Sequence, residues 1–180
     1  PAVENTPNEG AESLYLDATN SAGVLRSGTS YITDDGTGTL YSGVVTSGAL
    51  VTTSGTLDDD RPFTVDSVTV NEASPFAVFT ITGAVGQKIA SLTLVGGTAT
   101  SGSDFGTSLQ YYDGSAWTTF SANTAIPAGG TLLIRVPILN DGAINTGPYE
   151  GAETFAIVAA NTGGRTFSGS GVIMDDGTGA

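Results

Sequence analysis

The chain has 180 residues, with 18 acidic and 5 basic side chains, a formal charge of −13, and neither His nor Cys. It therefore holds no Ser-His-Asp or Cys-His nucleophile and no Cys/His zinc, haem or iron–sulfur site. Lacking a basic patch, it is expected to bind no nucleic acid and to insert into no membrane, which leaves hard-cation chemistry, surface recognition or a structural role, and no enzyme.

Gly contributes 26 residues and Thr 27. Thr favours strands and Gly favours turns and bulges, so the composition is that of an all-β chain with short strands. At 39% hydrophobic the chain can fill an ordinary core. No apolar run approaches the roughly 18 residues of a transmembrane helix. The first ten residues are polar and acidic, so no signal peptide is expected there.

From the N-terminus, Pro7-Asn8-Glu9-Gly10-Ala11-Glu12 recurs as Pro148-Tyr149-Glu150-Gly151-Ala152-Glu153, an offset of 141 residues. At the same offset Asp34-Asp35-Gly36-Thr37-Gly38 falls on Asp175-Asp176-Gly177-Thr178-Gly179. Between Pro7 and Gly38, 16 of 32 positions are identical without a gap. This is an internal repeat. Residues 1–38 read as the C-terminal strands of a preceding repeat, and 62–180 as the next repeat entire. Residues 39–61 read as a Gly/Ser/Thr-rich linker closing on Asp58-Asp59-Asp60. Two strands alone cannot bury an inner face, so 1–38 must pack on a neighbouring repeat or on another copy of the chain.

In 62–180, alternation and turn signals predict strands near 65–71, 77–82, 90–95, 108–112, 117–120, 124–126, 131–138, 154–160 and 166–174. If each strand reverses the last, as in an antiparallel sandwich, seven of the nine acids in this region reach one end. They are Glu72, Asp104, Asp141, Glu150, Glu153, Asp175 and Asp176. The region's Lys88, Arg135 and Arg165 lie outside those loops. Carboxylates crowded without cations repel one another, and calcium, which takes six to eight oxygens from flexible loops, is the natural compensation. A solvated acidic face is the plainer reading. Glu150 and Glu153 as a catalytic acid–base pair is weaker, since nothing suggests a substrate cleft.

Other candidates lie outside this end. Glu9, Glu12, Asp34 and Asp35 are the matching acids of the preceding repeat, and Asp58, Asp59 and Asp60 could ligate calcium at the junction or be solvated linker charge. Asp113-Gly114 marks a hairpin bringing Tyr111 and Tyr112 to Trp117. These rings either cover a sandwich edge or form a platform for a glycan or protein ligand.

Val70-Asn71-Glu72-Ala73, Gly97-Thr98-Ala99-Thr100-Ser101-Gly102-Ser103-Asp104-Phe105, Ile126-Pro127-Ala128-Gly129-Gly130-Thr131, Ile138-Leu139-Asn140-Asp141, Glu150-Gly151-Ala152-Glu153-Thr154-Phe155 and Ile173-Met174-Asp175-Asp176 together resemble a Calx-beta domain, in order over nearly the whole repeat. The resemblance implies an immunoglobulin-like antiparallel β-sandwich. It also implies Ca2+ at one end, with Glu72, Asp104, Asp141, Glu150, Glu153, Asp175 and Asp176 as ligands. Two features depart from the family pattern: Asn140 stands where Asp is common, and a Gly-rich insertion separates Asp141 from Glu150. The long period is similar to that of tandem repeats in large secreted or surface bacterial adhesins. The expectation is thus an extracellular, calcium-stabilised spacer acting in cell adhesion. The alternatives are a filament subunit exchanging strands through 1–38 and a recognition module using the 111–120 hairpin.

Overall fold

The computed structural model describes residues 10–140 and 151–176; among them are fourteen strands. β1 (Glu12–Thr19) and β2 (Leu25–Ile32) form one hairpin, and β3 (Tyr41–Thr46) and β4 (Ala49–Thr52) another. The rest are β5 (Thr64–Val65), β6 (Val68–Asn71), β7 (Phe76–Thr82), β8 (Lys88–Gly96), β9 (Gln110–Tyr112), β10 (Trp117–Thr119), β11 (Thr124–Ala125), β12 (Thr131–Pro137), β13 (Ala152–Asn161) and β14 (Thr166–Met174). They form two five-stranded sheets, ordered β10-β9-β12-β7-β5 and β11-β8-β13-β14-β6. The architecture is the expected β-sandwich.

Period-two patterning builds the core. Ala77, Phe79 and Ile81 of β7 and Leu132, Ile134 and Val136 of β12 point inward from one sheet. Phe155, Ile157 and Ala159 of β13 and Ile173 of β14 meet them from the other. Phe105, from the loop after β8, stacks on Phe155 with centroids 4.9 Å apart, and Phe79 meets Phe155 edge-on at 5.8 Å. Ring pairs of this kind add about 0.5–1.5 kcal/mol beyond area burial.

The strand directions match the alternating scheme: β7 is antiparallel to β12, β9 to β10 and β12, β8 to β11 and β13, and β13 to β14. Among the described strands of the sandwich, the exception to antiparallel pairing is β6 on β14, which is parallel. Its cause is a break in the run expected to be one strand over 65–71. β5 pairs with β7, the chain crosses at Asp66-Ser67, and β6 joins the other sheet while still running the same way. The crossing is pinned by Asp66, whose side chain accepts from the Thr80 amide (2.7 Å) and whose own amide donates to the Thr80 carbonyl (3.1 Å). It also fits closely against Gly169, where an added Cβ would lie 1.8 Å from the Asp66 carbonyl oxygen.

The 39–61 segment differs from the expected linker. Val44-Val45-Thr46 and Ala49-Leu50-Val51 flank Ser47-Gly48, both at positive φ (52° and 79°). That is the two-residue turn whose twist matches an antiparallel pair, so the segment closes into the β3–β4 hairpin.

Candidate functional site

We call the end where β6 and β14 finish the upper end. Three features assemble it. The parallel pair sets Asn71 beside Met174, and the Glu72 amide donates to the Met174 carbonyl (2.9 Å), so Glu72 and Asp175 leave adjacent strands together. Glu153 lies opposite Ile173 on β13. The 97–107 loop is tied to β13 by the Gly97 and Ala99 amides, which donate to the Thr154 carbonyl at 2.9 and 3.0 Å, and it is anchored in the core by Phe105. Asp104 rides on that anchor. It is buried, its carboxylate accepts from the Thr100 amide at 2.5 Å, and its carbonyl accepts from the Leu139 amide at 2.9 Å.

The structure thus brings Glu72, Asp104, Glu153, Asp175 and Asp176 to one end of the sandwich. Asp141 and Glu150 lie outside the described residues. Glu72 and Asp104 are largely buried, Glu153 and Asp175 half-buried and Asp176 exposed. The sandwich's basic groups are elsewhere. Lys88 opens β8 and Arg165 closes the β13–β14 turn, both at the lower end. Arg135 lies on an outer face, its guanidinium 4.0 Å over the Phe76 ring and 4.6 Å over Trp117. An all-oxygen donor set with no Lys or Arg beside it among the described residues suits a hard ion such as calcium. Among the described residues no group of three carboxylates is arranged to hold an ion by itself.

A second acidic region forms at the lower end. The chain just after β2 pairs with the chain just before β5: Asp35 bridges to Asp59, the Gly36 amide donates to the Asp58 carbonyl (2.6 Å), and the Asp60 amide donates to that of Asp34 (3.2 Å). Asp59 is neutralised by Arg61, whose Nε and Nη2 reach its two oxygens at 2.8 and 2.6 Å. This pairing holds the Arg61 guanidinium above its ordinary range. Asp35 accepts from the hydroxyl and the amide of Thr37, which lowers its pKa, the hydroxyl contributing most. Asp60 goes the other way: burial raises its pKa first, then the charges of Asp34 and Asp58, with Arg165 opposing. The Arg61 carbonyl is held by the side-chain amides of Gln87 (2.5 Å) and Asn161 (3.1 Å), both buried. A small cavity between the 35–37 turn, Leu57, Arg61 and Val85 opens beside this network. Sequence reasoning placed Asp58, Asp59 and Asp60 here but missed Arg61, Gln87 and Asn161. From the β13–β14 turn, Gly163 has Asp60 against it, and its amide donates to the Asp59 carbonyl (3.2 Å).

Glu12 of β1 is exposed and faces Ile32 across the hairpin, and Glu9 lies outside the described residues. In the aromatic hairpin Tyr112 and Trp117 tilt together with centroids 5.6 Å apart, and Tyr111 packs against the core. Arg135 covers one face of Trp117, a face a sugar ring would use. The turn is fixed by Asp113, which accepts from the Ala116 and Ser115 amides and the Ser115 and Thr118 hydroxyls and is held down to about 2.

No family model and no curated protein matches the chain. A crystal structure of the periplasmic chaperone SfaE is similar at a TM-score of 0.40 and 6% identity, over 64% of this chain and 58% of that one. The chain thus spans less than two thirds of that chaperone. The described residues contain no helix long and apolar enough to cross a membrane.

Proposed function

We propose that the chain is a structural repeat of the Calx-beta type from a large extracellular or cell-surface adhesin-like protein, stiffened by calcium and serving as a spacer. One observation carries this reading: strand direction and sheet pairing deliver five carboxylates to an end that has no Lys or Arg among the described residues. Glu72, Asp104, Glu153, Asp175 and Asp176 would hold the ion there, with Asp141 and Glu150 added by the resemblance. The ion would cancel their repulsion and tie the 97–107 loop to the ends of β6 and β14. Adhesion would then depend on the spacing of domains rather than on chemistry at any one of them.

The experiment is thermal unfolding in EDTA and in millimolar calcium, on the native chain and on Asp175→Asn/Asp176→Asn. At free calcium about 100 times Kd one site adds roughly 2.7 kcal/mol. In a chain of this size that raises Tm by about 5–10 °C. The gain should shrink sharply in the double variant; an unchanged Tm on calcium addition in the native chain removes the reading.

A second reading is favoured by the β1–β2 hairpin, whose strands are exposed along their whole length with Leu14, Tyr15, Leu16, Leu25 and Tyr31 in solvent. An uncovered, patterned pair invites strand addition by another copy, which would make the chain a filament subunit. Concentration-dependent light scattering that Leu16→Asp abolishes supports it; a monomer at every concentration removes it.

A further inference from the structure

The lower-end junction holds a buried carboxylate that the protein leaves without a hydrogen-bond partner. Asp60 is 1% exposed, and neither of its carboxylate oxygens has a hydrogen-bond partner. A buried ionised carboxylate without a partner is among the costliest groups a fold can hold. Its neighbours make matters worse. Asp58 Oδ1 lies with Asp60 against Gly163: an added Cβ there would sit 2.8 Å from the one and 2.4 Å from the Asp60 Cβ. The local cations give this carboxylate no hydrogen bond, although the charge of Arg165 partly offsets the acids around it. Arg61 is spent on both oxygens of Asp59, and the hydrogen bond from Arg165 Nη1 goes to the Asp60 carbonyl (3.2 Å), not to its carboxylate.

We propose that Asp60 and Asp58, packed on the Gly163 turn, form a divalent-cation site that locks the chain leaving β2 to the base of the sandwich. Calcium is the ion that fits: two carboxylates supply the charge, and neutral oxygens, water among them, complete a flexible shell. Glycine at 163 is what lets the turn pack this closely, since a Cβ there would overlap the Asp60 Cβ and press on Asp58 Oδ1. Calcium bound here would clamp the Gly36–Asp58 and Asp60–Asp34 backbone bonds that join the two segments, fixing the angle between successive repeats.

The site shares no residue with the upper end, so the two stand or fall separately. The test is hydrogen exchange by mass spectrometry on the whole chain, with calcium chloride against EDTA. Calcium should slow exchange in 34–37 and 58–61, by roughly a hundredfold at 100 times Kd where exchange follows local opening. Asp175→Asn/Asp176→Asn should keep that protection, whereas Asp60→Asn and, separately, Asp58→Asn should lose it. Thermal unfolding gives a second signature: Asp60→Asn should match or exceed the native chain in EDTA and fall below it in calcium. Two results overturn the site. One is protection that survives Asp60→Asn. The other is exchange that ignores calcium while the native chain gains stability on mild acidification, which would mean that Asp60 is held as a neutral acid.

Discussion

The β1–β2 and β13–β14 hairpins are two copies of one design with opposite fates. Both are antiparallel in the same register: Glu12 faces Ile32 as Glu153 faces Ile173, at the repeat offset. Their turns share hydrogen bonds as well. The amides of Asn20 and Asn161 donate to the carbonyls of Val24 and Arg165, those of Gly23 and Gly164 donate back to the asparagine carbonyls, and both glycines sit at positive φ (78° and 82°). Yet Leu14, Leu16 and Ile32 are 46%, 70% and 37% exposed, whereas their counterparts Phe155, Ile157 and Ile173 are 2%, 0% and 2%. Turn chemistry and register are local properties that each copy carries. Burial comes from neighbours: β13 and β14 lie between β8 and β6, opposite β7 and β12.

The largest test of this contrast is a pair of truncations. Ile157→Ala should cost about 2–5 kcal/mol, the range for emptying a packed aliphatic site, and Leu16→Ala about 0.5 kcal/mol or less. Urea unfolding of both variants measures it. Equal costs would mean that the β1–β2 face is covered in solution, breaking the contrast in favour of association.

A smaller effect separates the matched glycines. Gly169→Ala drives a methyl group into the Asp66 carbonyl where the chain crosses between sheets, and should cost roughly 1–3 kcal/mol through backbone displacement. Gly28→Ala meets nothing within 4 Å and should be neutral or slightly stabilising, because a strand interior disfavours glycine. Thermal melts of the two variants decide it.

The smallest effect lies in the turns. Asn161→Ala removes the acceptor of the Arg165 amide and one of the two donors to the Arg61 carbonyl in a buried setting. A cost of about 1–3 kcal/mol is expected from the groups left unsatisfied. Asn20→Ala, whose side chain accepts from the Ala22 and Val24 amides in solvent, should cost about 1 kcal/mol or less and be read best as faster amide exchange at those two residues.

Much of this was legible before any fold. Alternation placed the strands of the sandwich, and simple reversal put Glu72, Asp104, Glu153, Asp175 and Asp176 at one end, because strand direction follows from chain order alone. The β3–β4 hairpin carried a local signal too, Ser47-Gly48 between alternating apolar residues, but its Gly, Ser and Thr content resembled a linker. What composition cannot show is compensation. Asp58, Asp59 and Asp60 read as one acidic run, yet Asp59 is paired with Arg61 while Asp60 is buried without a partner. That split arises from distant segments: the 161–165 turn supplies Gly163, and β8 and its approach supply Gln87.

The sequence by itself determined the all-β class, the 141-residue repeat and the hairpin registers, since these rest on alternation, turn residues and identity at a fixed spacing. Only the tertiary structure decided which copy of the hairpin is buried, where the first strand breaks to cross between sheets, and which carboxylate of an acidic run is buried without a hydrogen-bond partner. Each of those depends on the backbone and side chains that long-range pairing brings alongside, and no local pattern records them.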